Sequence, residues 1–458
     1  MRYRSSDNVA VADLGKTSTR IKILSAQGKY LTGCETSTAS FKATEGALDI
    51  KMLGRWCEEA LTDLYWEYQF SHLIPVTHGA TAVALKASGE ALAVRDYESP
   101  IDAGLSQQYD RLRPAFEETG SPDLPLGLNL GRQLFALQKT DAAFAAAPTL
   151  LTYPQYWTWA WSGEFGTDAS SLGCHTDLWQ PWKHDWSTLA QSLDWSTRFP
   201  PLVRPGAVAG VLQARIAQNI QASDPIEVHW GLHDSNAALA AFLDSDSAFT
   251  LISTGTWLVA FAVGHGYTAL DGARDTLWMV DVLDRPVACA RFMAGREREA
   301  IAGKAGFADV SALLAILQKG TLAVPSFAPG GPYPEMRGRI VGTPPASDSE
   351  RAALASLYIA LMADAALDLI DAKGPLIIEG PLANDHAALL ALAALRTEQP
   401  VKMTRTNCVA HGAARLVFGS DTIGVPTLDS IPVDAMLIPL LQSARQRWRQ
   451  LIAEDTPL

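Results

Sequence analysis

The chain has 458 residues, enough for about two to four domains, and its 48% hydrophobic and 19% charged content suits large buried cores and speaks against disorder. A formal net charge of -12 with no Lys/Arg run argues against sequence-independent binding to nucleic acid or to an anionic membrane surface. Five scattered cysteines (Cys34, Cys57, Cys174, Cys289, Cys408) argue against a disulfide framework or a cysteine zinc site, and for a reducing, cytoplasmic setting.

The first residues, "MRYRSSDNVAVADLG", hold no uninterrupted apolar segment, so no signal peptide is expected. No run reaches the ~18 apolar residues of a membrane span. Three short strands are predicted next: Val9–Asp13, Arg20–Leu24 and about Tyr30–Glu35. The turn between the first two reads Gly15-Lys16-Thr17, the end of a P-loop signature. A P-loop needs a second glycine five residues earlier, and that position is Ala10, inside the apolar run Val9-Ala10-Val11-Ala12. The wide phosphate loop is therefore missing, and what remains is a strand–turn–strand with an acid, Asp13, at its tip.

A helix is predicted from about Leu48 to Phe70, because Leu53, Trp56, Cys57, Ala60, Leu61 and Leu64 share one face. "HLIPVTHGA" reads as a strand ending at His78-Gly79. Three strands before the first helix is not the Rossmann order. From about Arg95 to Pro225 the pattern is less regular and rich in Trp, Pro and Gly, as in "TYPQYWTWAWSGEFGTDASSLGCHTDLWQPW". Such an aromatic insert suits a small-ligand pocket, although Trp157, Trp159 and Trp161 fit core packing better than a ligand-stacking wall.

The opening order then returns. "AFTLISTGTWLVAFAVG" predicts a strand, a Gly-Thr turn and a strand, with further strands at "DTLWMVDV" and "PVACARFM". A helix follows over about Asp348 to Ala372, then a strand and turn at "GPLIIEGPLAN" and a helix at "DHAALLALAAL". Each half thus opens on a strand–turn–strand unit, which suggests two related α/β domains with their turns facing one cleft.

Four stretches carry the chemistry: "DLGKTS" (13–18), "GLHDSNAAL" (231–239), "STGTW" (253–257) and "IIEGPLAN" (377–384). Alone, each has a plain reading. Asp13 could bind a turn N–H, Asp234 could cap a helix, Ser253 to Thr256 could be a simple turn, and Gly380-Pro381 is common turn chemistry. In combination and in this order, from about Val9 to Phe418, they resemble the FGGY carbohydrate kinase family of the actin-like, ribonuclease H-like ATPase class. "THG" (77–79), "YPQYWTWAWSGEFGTDASSL" (153–172) and "NCVAHGAARLVFG" (407–419) add to the likeness.

The resemblance implies an α/β fold of two ribonuclease H-like domains flanking a deep cleft, with the aromatic insert in the first. Residues 1–243 would be the sugar-binding domain and 244–458 the nucleotide-binding domain, with a last helix near Val433 to Ile452 packed back on the body. It implies an ATP-dependent sugar kinase acting on a small ketose or related polyol, with cleft closure excluding water. Asp234 matches the general base. Asp13 matches the acid that orients Mg²⁺. Gly15, Lys16 and Thr17 match the first phosphate turn, and Gly255 and Thr256 the second. Gly380 and Asn384 match the adenosine motif. The family's glycine run is here Gly380-Pro381-Leu382, and its Trp-x-Asp-x-Arg sugar pattern is not evident in "YESPIDAGLSQQYDRL". The expected sugar contacts are therefore His78, Gln155, Asp168 and His175, of which His175 has a structural reading and Asp168 a helix-cap reading. "DLGKTS" and "GCHT" point within the family toward a deoxyhexulose such as rhamnulose or fuculose. The partners implied are the sugar and ATP, without nucleic acid or membrane, and a homodimer is compatible. An actin-like ATP-binding switch or a sugar sensor would share the phosphate turns; the aromatic insert and Asp234 favour the kinase.

Overall fold

The computed structural model describes residues 7–43, 46–243 and 248–455. The chain forms two compact units: Met1–Asp244 with Trp278–Pro286 and Cys408–Pro426, and Ser245–Leu277 with Val287–Asn407 and Thr427–Leu458.

The first unit is built on a seven-stranded sheet. Its strands are β1 (Val9–Leu14), β2 (Ser18–Leu24), β3 (Tyr30–Ser37), β4 (His72–Thr77), β5 (Val208–Val211), β6 (Glu227–His229) and β7 (Leu232–His233). The order is β5-β6-β4-β1-β2-β3, with β7 also on β4. β1 lies between antiparallel β2 and parallel β4 and is covered on both faces, which is why its apolar run is continuous and every residue is buried. β2 alternates instead, burying Thr19, Ile21 and Ile23 while Arg20 and Lys22 stay partly open. On one face the helix Ile50–Glu67 buries Leu53, Cys57, Ala60, Leu61 and Leu64, the stripe its spacing predicts. Its start is capped by Asp49, which accepts from the Met52 N–H at 2.8 Å. The helix stops at Glu67, short of the predicted Phe70, because Tyr68 turns extended. Trp157 and Trp161, one turn apart on the helix Tyr153–Ser162, fill the same core. The opposite core gathers Val9, Val11, Ile74 and Val76 under the helices Asp234–Ala240 and Cys408–Phe418.

The second unit repeats the plan. Its sheet runs β11-β9-β8-β12-β13-β14. The strands are β8 (Phe249–Thr254), β9 (Leu258–Val263), β11 (Pro286–Phe292), β12 (Leu376–Glu379), β13 (Val401–Met403) and β14 (Asp429–Ser430), while β10 (Thr276–Val280) falls mostly in the Trp278–Pro286 segment of the first unit. Reading β3-β2-β1-β4-β6 against β11-β9-β8-β12-β13, both sheets pair antiparallel, antiparallel, parallel, parallel. That is the two-domain α/β plan of the actin-like ATPases. The helix Asp348–Leu369 holds no uninterrupted apolar run of membrane-spanning length, as expected from the sequence; its length and mean hydropathy alone would suffice to cross a membrane, but 89% of its apolar window is buried inside the protein. It is the central helix of this unit, packed by Ala294–Ala302, Val310–Lys319 and His386–Leu395. The last helix spans Leu437–Asp455 and buries Leu441 and Trp448.

Candidate active site

In the first unit, strand register assembles the site. β1, β4 and β7 are parallel, with Asp13 beside Val76, Leu232 beside Val76, and His233 beside Thr77. Their carboxyl ends therefore bring Asp13, His78 and Asp234 to one sheet edge, where α/β folds place ligands. The Gly15-Lys16-Thr17 turn is closed by the Gly15 N–H on the Ser18 carbonyl at 3.1 Å. Thr38 pins it from the side: its hydroxyl donates to the Gly15 carbonyl at 2.8 Å and its N–H to the Thr17 carbonyl at 3.0 Å. Thr17 itself is exposed. Lys16 ion-pairs with Asp96, lies 3.4 Å from Glu98 and sits 4.1 Å over the Tyr97 ring.

Asp13 is buried, and its nearest cation is Arg20 at 3.8 Å. Burial, followed by the charge of Asp234, pushes its pKa up to about 7 against Arg20 and Lys22. The buried Asp13 and the partly open Asp234 are close enough for their charges to couple, a carboxylate donor set that fits a hard dication such as Mg²⁺.

Asp234 is the first residue of its helix; the cap position is His233. The carboxylate accepts from its neighbour Ser235, at 2.6 Å from the N–H and 3.3 Å from the hydroxyl. Its side chain remains 33% exposed. His233 Nε2 lies 3.1 Å from Asp234 Oδ1 and 3.7 Å from Cys174 Sγ. Burial opposes charge on His233, but Cys174 and Asp234 outweigh it and raise its pKa. Burial likewise opposes a thiolate at Cys174, and His175 and His233 outweigh it and lower that pKa. Cys174 and His233 thus form a buried pair behind Asp234. His78 is held neutral by burial, donates Nδ1–H to the Gly79 carbonyl at 3.0 Å, and keeps Nε2 as an acceptor. Tyr97 and Tyr153 flank its ring at 5.6 and 5.0 Å.

The remaining expected sugar contacts lie deeper. Gln155 and Asp168 are both fully buried. Gln155 Nε2 donates to Asp168 Oδ1 at 2.9 Å and to the Gly231 carbonyl at 2.8 Å. Asp168 caps the helix Ala169–Leu172 through the Ser171 N–H at 2.8 Å. The pair braces the chain entering β7 from behind. His175 is half-buried, with a positive φ of 42°, and its Nδ1 donates to the Leu128 carbonyl at 2.7 Å. Reading the sequence missed His233, Cys174 and Tyr97. The available signal was the His-Asp pair in "GLHDSN".

In the second unit, Gly255 and Thr256 form the exposed β8–β9 turn, closed by the Gly255 N–H on the Trp257 carbonyl at 2.8 Å. The Gly295 N–H, at the start of the helix Ala294–Ala302, donates to the Thr256 carbonyl at 3.1 Å. Gly380 follows β12 with φ 82° and ψ -162°, and a Cβ there would stand 2.1 Å from the Thr254 carbonyl oxygen. Thr254 ties the two strand ends together: its hydroxyl donates to the Glu379 carbonyl at 2.6 Å and accepts the Leu382 N–H at 3.1 Å. Gly380 and Asn384 line a cavity of about 270 Å³ with Ala383, Thr404, Arg405 and Asn407.

The family profile described as "Carbohydrate kinase FGGY, C-terminal domain" matches residues 246–424. The crystal structure of a carbohydrate kinase from Novosphingobium aromaticivorans is 36% identical, covers 99% of this chain and 100% of its own, and superposes with a TM-score of 0.89. The ligand-bound xylulose kinase of Lactobacillus acidophilus, at 14% identity, covers 98% of each chain with a TM-score of 0.81 and shares the fold. A rhamnulokinase of Enterococcus faecalis is 26% identical over 222 residues, 44% of this chain and 43% of its own length, so the match spans less than half of that relative. With full-length likeness to a carbohydrate kinase at this identity, and the profile on the second unit, the chain belongs to the FGGY carbohydrate kinase family.

Proposed function

We propose that the protein transfers the γ-phosphoryl group of MgATP to a hydroxyl of a small ketose or related polyol, with Asp234 as general base. The observation that supports this most is Asp234 itself, a partly open carboxylate on a rigid helix start beside the buried Asp13. In the reaction, the sugar oxygen attacks the γ-phosphorus and its proton passes to the Asp234 carboxylate. The bond to the bridging oxygen breaks, and ADP leaves. His233 orients the base through its 3.1 Å contact. His78, neutral and with a free acceptor nitrogen, suits a sugar hydroxyl as donor. Asp13 would hold Mg²⁺, which would supply neutralising charge to the phosphates. The open Gly255-Thr256 turn leaves room for phosphate to approach, and the Gly380–Asn384 cavity takes the adenosine.

The likeness to a rhamnulokinase supports a deoxyhexulose substrate. The experiment is ADP release by the purified full chain with a panel of ketoses and polyols. The reading expects one sugar class to raise ATP turnover well above the sugar-free rate. Turnover that no sugar stimulates would end it.

A further inference from the structure

A second set of donors lies at the start of β4 and on its neighbour β6. Glu227 and His229 are two apart on β6, so both point to one face. Glu227 is the register partner of His72 on parallel β4, which puts His72 on that face as well. His72 Nδ1 is 3.1 Å from His229 Nε2 and 3.3 Å from Glu227 Oε2, and all three donor atoms lie within 4.8 Å of one another. Two ligands about 2.0–2.1 Å from a tetrahedral zinc are roughly 3.3 Å apart, so this spacing already fits a first shell.

We propose that His72, Glu227 and His229 form a binding site for one Zn²⁺ ion in the first unit, separate from the Asp13–Asp234 centre. The supporting shell is present. His229 Nδ1–H donates to the Gly206 carbonyl at 2.7 Å, which leaves Nε2 as a lone pair aimed at the cluster. Three acceptor-capable atoms therefore converge with at most one proton, on His72 Nδ1, to join them. A dication satisfies all three. Phe418 packs edge-on to the His72 ring at 5.1 Å and fixes its plane. Glu227 is 46% exposed, which leaves an entry path and room for a water as fourth ligand. Two imidazoles and one carboxylate select zinc-like metals over Mg²⁺ and Ca²⁺, which take oxygen ligands.

The test is titration of chelator-treated full-length protein with ZnCl₂ alone, by calorimetry, in excess Mg²⁺ so that oxygen sites are filled. The expected result is one equivalent bound and a raised melting temperature. His229→Gln should weaken binding by at least about 100-fold, the upper end of what losing a mere supporting partner costs. Glu227→Gln, at a half-exposed position that leaves the fold intact, should weaken it as well. Absence of zinc binding to the wild type overturns the proposal. So does binding that survives unchanged in Glu227→Gln and in a folded His72→Gln, since the metal would then sit elsewhere.

Discussion

Gly255 and Gly380 are both assigned to nucleotide contact, yet the structure gives them opposite reasons for being glycine. At Gly380 the reason is internal. With φ 82° and ψ -162°, a side chain costs about 1–3 kcal/mol in backbone strain. A methyl group 2.1 Å from the Thr254 carbonyl must also push the strand ends apart. That breaks the two hydrogen bonds of the Thr254 hydroxyl, at about 1 kcal/mol each. Gly380→Ala should therefore lose about 3–5 kcal/mol, seen as a lower melting temperature of the second unit. At Gly255 a Cβ meets nothing within 4 Å, so Gly255→Ala should leave stability within about 0.5 kcal/mol. If phosphate approaches that turn, the methyl group blocks it. Losing one charge-assisted hydrogen bond, about 1.5–3 kcal/mol, lowers kcat/KM for ATP roughly 10- to 100-fold. The assays are a thermal melt and steady-state kinetics with ATP varied. A Gly255→Ala enzyme with unchanged kcat/KM refutes the approach of nucleotide to this turn, and a large loss of stability there refutes the open geometry.

Three further outcomes follow from the first unit. Asp13 has a raised folded pKa of about 7, so its burial costs nothing while it is protonated and costs stability as pH rises from about 4 through 7. Asp13→Asn should thus melt higher than wild type at pH 8 in the absence of Mg²⁺, with the gain vanishing by about pH 4, and should lose turnover; an equal gain at both pH values contradicts the buried-acid reading. His175→Ala should raise KM for the sugar roughly ten- to a hundredfold with little change in KM for ATP, if its ring meets a sugar hydroxyl; equal loss of both, with a lower melt, marks it as structural. Asp168→Ala removes a cap and strands the Gln155 amide, so it should lower stability by about 2–4 kcal/mol, and an unchanged melting curve would contradict the bracing role.

Local patterns made much of the fold legible. The Val9–Ala12 run, the stripe on Ile50–Glu67 and the two strand–turn–strand units follow from hydrophobic period and glycine placement, and all three are present. Asp13 and Asp234 stood out because each is an acid at the end of an apolar strand or the start of a helix. What the sequence hid is what only register and packing decide. His233 meets Cys174 across 59 positions, and Lys16 meets Asp96 across 80. Gln155 and Asp168 looked like pocket residues because polar groups amid aromatics often are; here both are fully buried and the Gln155 amide donates to the Asp168 carboxylate. The helix Asp348–Leu369 passes for a membrane span since a helix buried on all sides has the same composition.

The central claim is that Asp234 takes the proton of the attacking hydroxyl. Asn has nearly the same shape, can still bond the Ser235 N–H through its side-chain oxygen, and cannot accept that proton. The most direct measurement is sugar-dependent ADP formation by Asp234→Asn at saturating MgATP and sugar, with a thermal melt alongside. The account predicts a folded variant that binds both substrates and turns over about 10²–10⁴-fold more slowly. A stable variant with a rate within a small factor of wild type would contradict it.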